Sequence, residues 1–426
     1  MNIIFIDKIN HNDNIINVCS TKNGGNCILI NNYMDILDFS INVKNIIKYN
    51  LNKSKKIVFN LSELDYNYVL SFIYKISQGI YTFNKYKSNT KNNEIVFYIP
   101  KYNKKREIAD IIESANITRN LINEPSNKMT PKIFSEYVKR YYKNNKNVNV
   151  KIFDSNAIKK LGLNLIYSLG QHSYNKPYFA ILEYKPQKYK KTICIVGKGV
   201  TIDTGGYSIK NNGNMNKMYM DKEGACISFG LFNNLVKNKS NNRIICVCPL
   251  VENIISNSSL KPSDVIKAYN GQTIEIVNVD AEGRLILADS LSYICKMYKP
   301  DHIIDIATLT GSSDKYCNTS FSYFTINEAI SNNIIKFSKK YGEIILRIPP
   351  WVEYMKYIKS NIADVKNSGY NCKKGDDLIA SLFLMNFIEK KYRNKWIHID
   401  IRMISNNNEL NIAEGFGTIL QYLKSL

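Results

Sequence analysis

Two spacings of apolar residues alternate along this chain of 426 residues. Short β-branched and aromatic runs bounded by polar turns predict strands, and apolar positions three or four apart predict helices buried on one face. In the first hundred residues the runs Cys27–Ile30, Lys56–Leu61 and Glu94–Ile99 predict strands, and Asp65–Ile80 a helix. The segment Lys101–Asn123 opens with a basic run, then places Ile108, Ile111, Ile112, Ala115 and Leu121 on one helical face, so a linker helix is expected there. Farther on, strand runs at Tyr178–Leu182, Ile193–Val196, Arg243–Pro249 and His302–Ile306 alternate with helix-length segments at Lys222–Lys237 and Leu285–Tyr298. A turn-rich loop at Gly369–Gly375, an apolar helix at Leu378–Ile388 and a strand at Trp396–Ile401 follow. Alternating strands and helices argue for parallel strands joined by helical crossovers. The expected fold is α/β: a small amino-terminal α/β domain (1–103), a linker helix (104–122) and a larger carboxy-terminal α/β/α sandwich with a mostly parallel central sheet (123–426).

An apolar content of 44% supplies cores for two or three domains. No apolar run is long enough to span a bilayer, and the opening MNIIFIDKINHND lacks a signal-peptide pattern, so neither a membrane span nor secretion is expected. The cysteines number nine, with no C-x-x-C pair, and Cys194, Cys246 and Cys248 sit inside apolar strand runs. Reduced, buried thiols in a cytoplasmic protein are expected from that pattern. The net charge of +22 is spread over lysine clusters at Lys53–Lys56, Lys101–Arg106, Lys139–Lys146 and Lys185–Lys191, in a chain rich throughout in Lys, Asn, Ile and Tyr. It reads as a solvated basic surface. Nucleic-acid binding is the less favoured reading, because no recognition motif accompanies the charge.

The candidate chemistry lies between Lys198 and Arg284. Residues 197–210 read GKGVTIDTGGYSIK, and residues 278–284 read NVDAEGR. A phosphate-binding loop fails on spacing, since G-x-x-x-x-G-K-[ST] is absent and Ile202 stands where a dinucleotide fingerprint from Gly197 needs its third glycine. Asp203, Asp221, Asp280 and Glu282 could instead form an oxygen cage suited to Mn²⁺ or Mg²⁺ and tolerant of Zn²⁺. Both blocks follow strand-like runs, Ile193–Val196 and Thr273–Val279, so these carboxylates are expected at strand ends, with Asp280 and Glu282 pointing to one side of extended backbone. Lys198 could join them only as a neutral amine, which burial beside dications favours. Lys210 and Arg284 add cations.

Each residue alone has an ordinary role: Asp203 capping a turn, Asp221 capping the next helix, Lys198 and Lys210 solvated, Asp280 paired with Arg284. The four histidines, His11, His172, His302 and His398, form no H-E-x-x-H. His302 and His398 fall in strand patterns and read as structural, and Cys226 as a small packed helix residue.

Together, residues 197–210, KMYMDKEGA (217–225), NVDAEGRLILADSL (278–291) and DIATLTGS (305–312) resemble the leucyl aminopeptidase family of dinuclear-metal peptidases. The likeness runs from about Asn116, through NEPSNKMTP (123–131), to WIHIDI (396–401). It implies that Asp203, Asp280 and Glu282 hold one metal, and that Lys198, Asp203, Asp221 and Glu282 hold the other. It implies Lys210 as the group polarising the scissile carbonyl, Arg284 as the holder of a bicarbonate acting as base, and Met218, Asp221, Thr308, Leu309 and Gly311 as substrate contacts. A metal-bound hydroxide would attack the peptide, and the assembly would be a homohexamer. The chain departs from the family at Val279 (usually Thr), at Lys222 and Glu223 (usually Met-Gly), and at Arg402 and Met403 (usually Ala-Gly). Arg402 directed into the side-chain pocket would shift preference from apolar to acidic amino-terminal residues; turned to solvent, it would not. Two other readings remain open: a dipeptidase acting on substrates such as cysteinylglycine, and a non-catalytic descendant whose basic surface binds nucleic acid or a partner.

Overall fold

A computed structural model describes residues 56–88, 94–311, 320–369, 375–401, 403 and 410–426, together with 3–6, 8, 14–19, 28–30, 32, 35–36, 38–39 and 42. Arg402, most of the 369–375 loop, Cys27, Cys317 and Cys372 lie outside the described residues.

The first strands, β1 (Ile3–Ile6), β2 (Asn14–Cys19), β3 (Ile28–Leu29), β4 (Lys56–Glu63) and β5 (Glu94–Tyr98), form a parallel sheet in the order β1-β5-β4-β2-β3. Ile57, Val58 and Phe59 of β4 stand in register with Ile95, Val96 and Phe97 of β5, and all six are buried. The helix Tyr66–Gly79 crosses between these strands, its start capped by the Asp65 carboxylate accepting from Asn67 N at 2.8 Å.

The helix Lys105–Ile122 buries the face its spacing predicts: Ile108, Ile111, Ile112, Ala115 and Leu121. It lies close along the helix Glu223–Lys237, where a Cβ on Gly230 would stand 1.8 Å from Thr118 Oγ1.

The remaining strands are β6 (Val148–Phe153), β7 (Tyr178–Tyr184), β8 (Thr192–Gly197), β9 (Gly199–Asp203), β10 (Arg243–Asn253), β11 (Val265–Lys267), β12 (Thr273–Glu275), β13 (His302–Ala307), β14 (Ser320–Phe324), β15 (Ile344–Arg347), β16 (Val365–Lys366) and β17 (Trp396–Asp400). The large sheet runs β15-β14-β17-β13-β8-β10-β7-β6, with β9 on the far half of β10. Its centre, β17-β13-β8-β10, is parallel, and antiparallel pairings occur toward the edges at β14/β17, β10/β7 and β7/β6.

Alternate residues of β8 divide between two cores. Ile193 and Ile195 join the helix Glu223–Lys237, whereas Cys194 and Val196 join the helix Gly283–Tyr298 on the opposite face. That division is the three-layer arrangement expected when helical crossovers cover both faces of a parallel sheet.

One expectation is corrected. The run 273–279 is strand only over Thr273–Glu275, in a small separate sheet β11-β12-β16. Beyond Glu275 the Asn367 side chain replaces a strand neighbour: its Oδ1 accepts from Val277 N (2.9 Å) and Asn278 N (3.3 Å), and its Nδ2 donates to Asn278 O (2.7 Å). Asp280 and Glu282 therefore sit on the turn entering the helix Gly283–Tyr298, not at the end of a central strand.

Cys194, Cys226, Cys246, Cys248 and Cys295 are free and buried, whereas Cys19 is disulfide-bonded, so full reduction does not hold at that position. Among the described residues, no helix is long and apolar enough to cross a membrane.

The segment 411–414 ties three regions together. Asn411 Nδ2 donates to Glu223 Oε2 (2.6 Å), Arg119 Nε donates to Ile412 O (3.0 Å), and Lys75 Nζ pairs with Glu414 Oε1 (2.9 Å), with all five side chains buried. Gln78 Nε2 also donates to Glu414, at 3.2 Å.

Candidate metal centre

Lys198 follows β8 directly and is pinned by its backbone: its N–H donates to Ile306 O of β13 (2.9 Å), and its carbonyl accepts from Ala225 N (2.8 Å). The helix Glu223–Lys237 can approach this closely because position 224 is glycine; a Cβ there would lie 2.1 Å from Ile306 O. Lys198 Nζ is buried and reaches Asp221 Oδ1 (2.9 Å), Glu282 Oε1 (2.8 Å) and Thr308 O (2.7 Å).

Asp203 ends β9, where Asn253 Nδ2 (2.7 Å) and Gly205 N (2.9 Å) both donate to its Oδ1. Gly205 and Gly206 take positive φ values (84° and 57°), turning the chain so that Lys210 returns to the cavity. There Lys210 Nζ stands 2.8 Å from Asp203 Oδ2 and also pairs with Asp280. Asp221 closes the 3₁₀ turn Met218–Met220, its Oδ1 accepting from Thr308 Oγ1 at 2.6 Å. Arg284, in the first turn of the helix Gly283–Tyr298, donates from Nη1 to Asn367 O (3.0 Å) and from Nη2 to Asp376 Oδ1 (3.0 Å).

Lys198, Asp203, Lys210, Met218, Asp221, Asp280, Glu282, Arg284, Thr308, Leu309 and Gly311, eleven positions up to 113 residues apart in sequence, border one cavity of about 900 Å³. Met403 borders it too, while its neighbour Arg402 lies outside the described residues. Of the ordinary roles, Asp203 does hold a turn. The others differ: Asp221 does not cap the following helix, whose N-cap is Lys222, Lys198 is buried, and Asp280 pairs with Lys210 while Arg284 takes Asp376.

Where Asp203, Asp221, Asp280 and Glu282 meet Lys198 and Lys210, four carboxylates face two ammonium groups, leaving that cluster short of positive charge. Burial, then Glu282 and Asp221, push Asp203 well above the usual carboxylate range, and burial pushes Asp221 up to about 7 against the pull of Lys198. Lys198 moves upward: burial opposes its charge, but Asp221, Glu282 and Asp203 outweigh it. That is the reverse of what a ligand amine needs, and dications in the same cage would turn it round.

The donor set fits such ions. Oxygens of Asp203, Asp221 and Glu282 lie within 4.8 Å of one another, and Asp221 Oδ2 is buried without a hydrogen-bond donor among the described residues. Buried acceptors without donors are costly, and a cation would relieve this one.

Sequence reasoning missed Asn253, Asn367 and Asp376. The two asparagines act by filling backbone and carboxylate hydrogen bonds across long separations, which no local pattern signals. Asp376, at the head of an apolar helix, reads locally as an acidic first-turn residue.

Two departures also find their place. Lys222 is buried and donates to the carbonyls of Ile122 (3.0 Å), Glu124 (2.8 Å) and Tyr219, and buried Glu223 accepts from Asn411.

His398 is buried in β17, its Nδ1 2.6 Å from Asp305 Oδ1, whose other oxygen accepts from Trp396 Nε1. Burial would lower the His398 pKa, but Asp305 reverses the shift and raises it. A raised histidine pKa contributes stability in full below its unfolded value of about 6.5, and the contribution is lost as pH rises through the folded value. The stability advantage of wild type over His398→Asn, measured by urea unfolding, should therefore shrink as pH rises above about 6.5. A constant difference would mean that folding does not shift the imidazole pKa.

Comparison with known proteins places similar chains beside this one. A family model described as the cytosol aminopeptidase family, catalytic domain, matches residues 116–422. A probable cytosol aminopeptidase of Phytoplasma mali is 36% identical over 374 residues, covering 84% of this chain and 74% of its own. One from Campylobacter jejuni is 37% identical over 344 residues, covering 76% and 70%. Among solved structures, the apo leucyl aminopeptidase of Trypanosoma cruzi matches with a TM-score of 0.84 at 25% identity, over 90% of this chain and 78% of that one. The bottromycin maturation enzyme BotP in complex with Mn shares the fold, with a TM-score of 0.83 at 24% identity over 92% and 87%.

Proposed function

The chain belongs to the cytosol aminopeptidase family, and from that premise we propose that the carboxylate cavity is its hydrolytic centre, with the protein acting as a metal-dependent aminopeptidase that releases amino-terminal residues from peptides. The observation that carries this reading is the buried convergence of Asp203, Asp221 and Glu282 oxygens within 4.8 Å. Asp203, Asp280 and Glu282 would hold one divalent ion; Lys198, Asp203, Asp221 and Glu282 would hold the other. Two such ions, Zn²⁺ or Mn²⁺ with Mg²⁺ also suited, would supply Lewis acidity toward the scissile carbonyl and lower the pKa of water.

The chain's own groups do the rest. Lys210 holds positive charge where the carbonyl oxygen becomes anionic. Met218, Thr308, Leu309 and Gly311 line the wall that would receive the first side chain. A bicarbonate at Arg284, which the resemblance implies, would meet Asp376 already bonded to the guanidinium at 3.0 Å. Homohexameric assembly and a cytoplasmic location are readings carried by the family resemblance.

The test is hydrolysis of leucyl-p-nitroanilide by chelator-treated protein, with and without Mn²⁺ or Zn²⁺, beside Asp280→Ala. Metal should restore activity to wild type, and the variant should fall by more than about 10²-fold, since even groups that merely support metal ligands cost 10- to 100-fold. Metal-independent hydrolysis, or none on leucyl, glutamyl or cysteinylglycine substrates, would overturn the reading. Glutamyl preferred over leucyl substrate would place Arg402 in the specificity pocket.

A further inference from the structure

We propose that Asp376 is the general base of this hydrolysis, seated on Arg284 where a free anion would otherwise have to bind. The inference rests on the proposed peptidase function.

Water attacking a peptide carbonyl must lose a proton, so a lone pair has to be at hand. Arg284 has none, the Lys198 amine belongs to the proposed ligand set, and Lys210 is taken up between Asp203 and Asp280. Among the described residues, the carboxylates bordering the cavity are Asp203, Asp221, Asp280, Glu282 and Asp376. The first four face Lys198 or Lys210 and form the proposed ligand cage.

Asp376 differs from them. Its side chain borders the cavity and is 47% exposed, and its partner among the described residues is Arg284, 3.0 Å from one oxygen. Gly375, at φ 83°, sets the backbone so that Asp376 opens the helix Asp376–Met385. Arg284 is fixed in turn by Asn367, whose side chain also holds the 277–281 segment that carries Asp280. Base, guanidinium and ligand segment thus share one scaffold.

In the step, the water oxygen bonds to the carbonyl carbon while Asp376 takes one water proton. As the C–N bond breaks, that proton passes to the leaving nitrogen. One water is consumed, one carboxyl and one amine are formed, and the Asp376 carboxylate is regenerated.

An acidic residue in this position could act only on the helix terminus, so the test must separate the two roles. Asp376→Asn and Asp376→Gly are compared with wild type in carbonate-free buffer and with added bicarbonate. Wild type should turn over equally in both. Both variants should lose about 10²- to 10⁴-fold in kcat with little change in KM, and Asp376→Gly should regain activity on bicarbonate addition. Binding of ¹³C-bicarbonate to metal-loaded protein, followed by NMR without substrate, should appear in Asp376→Gly and be absent from wild type. Wild-type kcat in the variants, bicarbonate dependence of wild type, or equal ¹³C-bicarbonate binding by both would overturn the proposal. Absent metal-dependent hydrolysis in wild type would instead sink the peptidase reading, and the binding comparison would still decide who occupies Arg284.

Discussion

Asp203→Asn is expected to abolish metal-dependent hydrolysis while making the metal-free protein more resistant to heat. Asp203 touches both halves of the centre, Asn253 and Gly205 from one oxygen and Lys210 from the other, and would bridge both ions. Groups that act as a unit lose nearly everything when one is removed, so a fall on the order of 10⁴-fold or more is expected.

The stability gain has a separate cause. Burial and the neighbouring Glu282 and Asp221 disfavour the Asp203 charge, and an amide of the same shape removes that strain. Metal should reverse the order: saturating ions stabilise wild type by RT ln(1 + [L]/Kd), about 2.7 kcal/mol at a hundredfold excess over Kd. Melting curves with and without Mn²⁺ read both effects. A variant that still gained melting temperature on adding metal would remove Asp203 from the ligand set.

Lys210→Ala should lower kcat by about 10²- to 10³-fold, or about 2.7–4 kcal/mol, and leave KM nearly unchanged. That is the cost of losing one preorganised group at a developing oxyanion. The proposed role is supported by the side chain's setting, since Asp203 and Asp280 hold its ammonium from two sides at the cavity wall and favour its charged form against burial. A raised KM at unchanged kcat would make Lys210 a ground-state binding group.

Much of the centre was legible in the sequence because its residues come in tight blocks at element ends. Lys198 and Asp203 fall in the glycine-containing stretch 197–206 after a strand, and Asp280, Glu282 and Arg284 crowd into five residues at the start of a helix. The buried face of the helix Lys105–Ile122 and the strand β8 were likewise written in local periodicity.

What stayed hidden was long-range. Nothing near position 367 says that an asparagine side chain will end a strand ninety residues earlier, and the β-branched run 273–279 looked like strand for that reason. Asp376 was hidden because its local surroundings already explain an acidic residue. The positive charge that a ligand amine must shed is set by how many carboxylates surround Lys198, a property of the assembled cavity.

The buried bonds around 411–414 link the helices Tyr66–Gly79, Lys105–Ile122 and Glu223–Lys237. Without the helix Tyr66–Gly79, Glu414 would keep its neighbour Glu343, itself pushed up to about 7 by burial and by Glu414, but would lose the Lys75 ammonium. Two buried carboxylates without their cation cost several kcal/mol, a large share of the stability of any single domain. Arg119, placed over the rings of Tyr74 and Tyr81, would lose the Tyr74 ring. Because Asn411 continues the same chain of bonds to Glu223, two residues from Asp221, loss of the first hundred residues is expected to loosen the proposed metal cage, although that cage lies in the other domain.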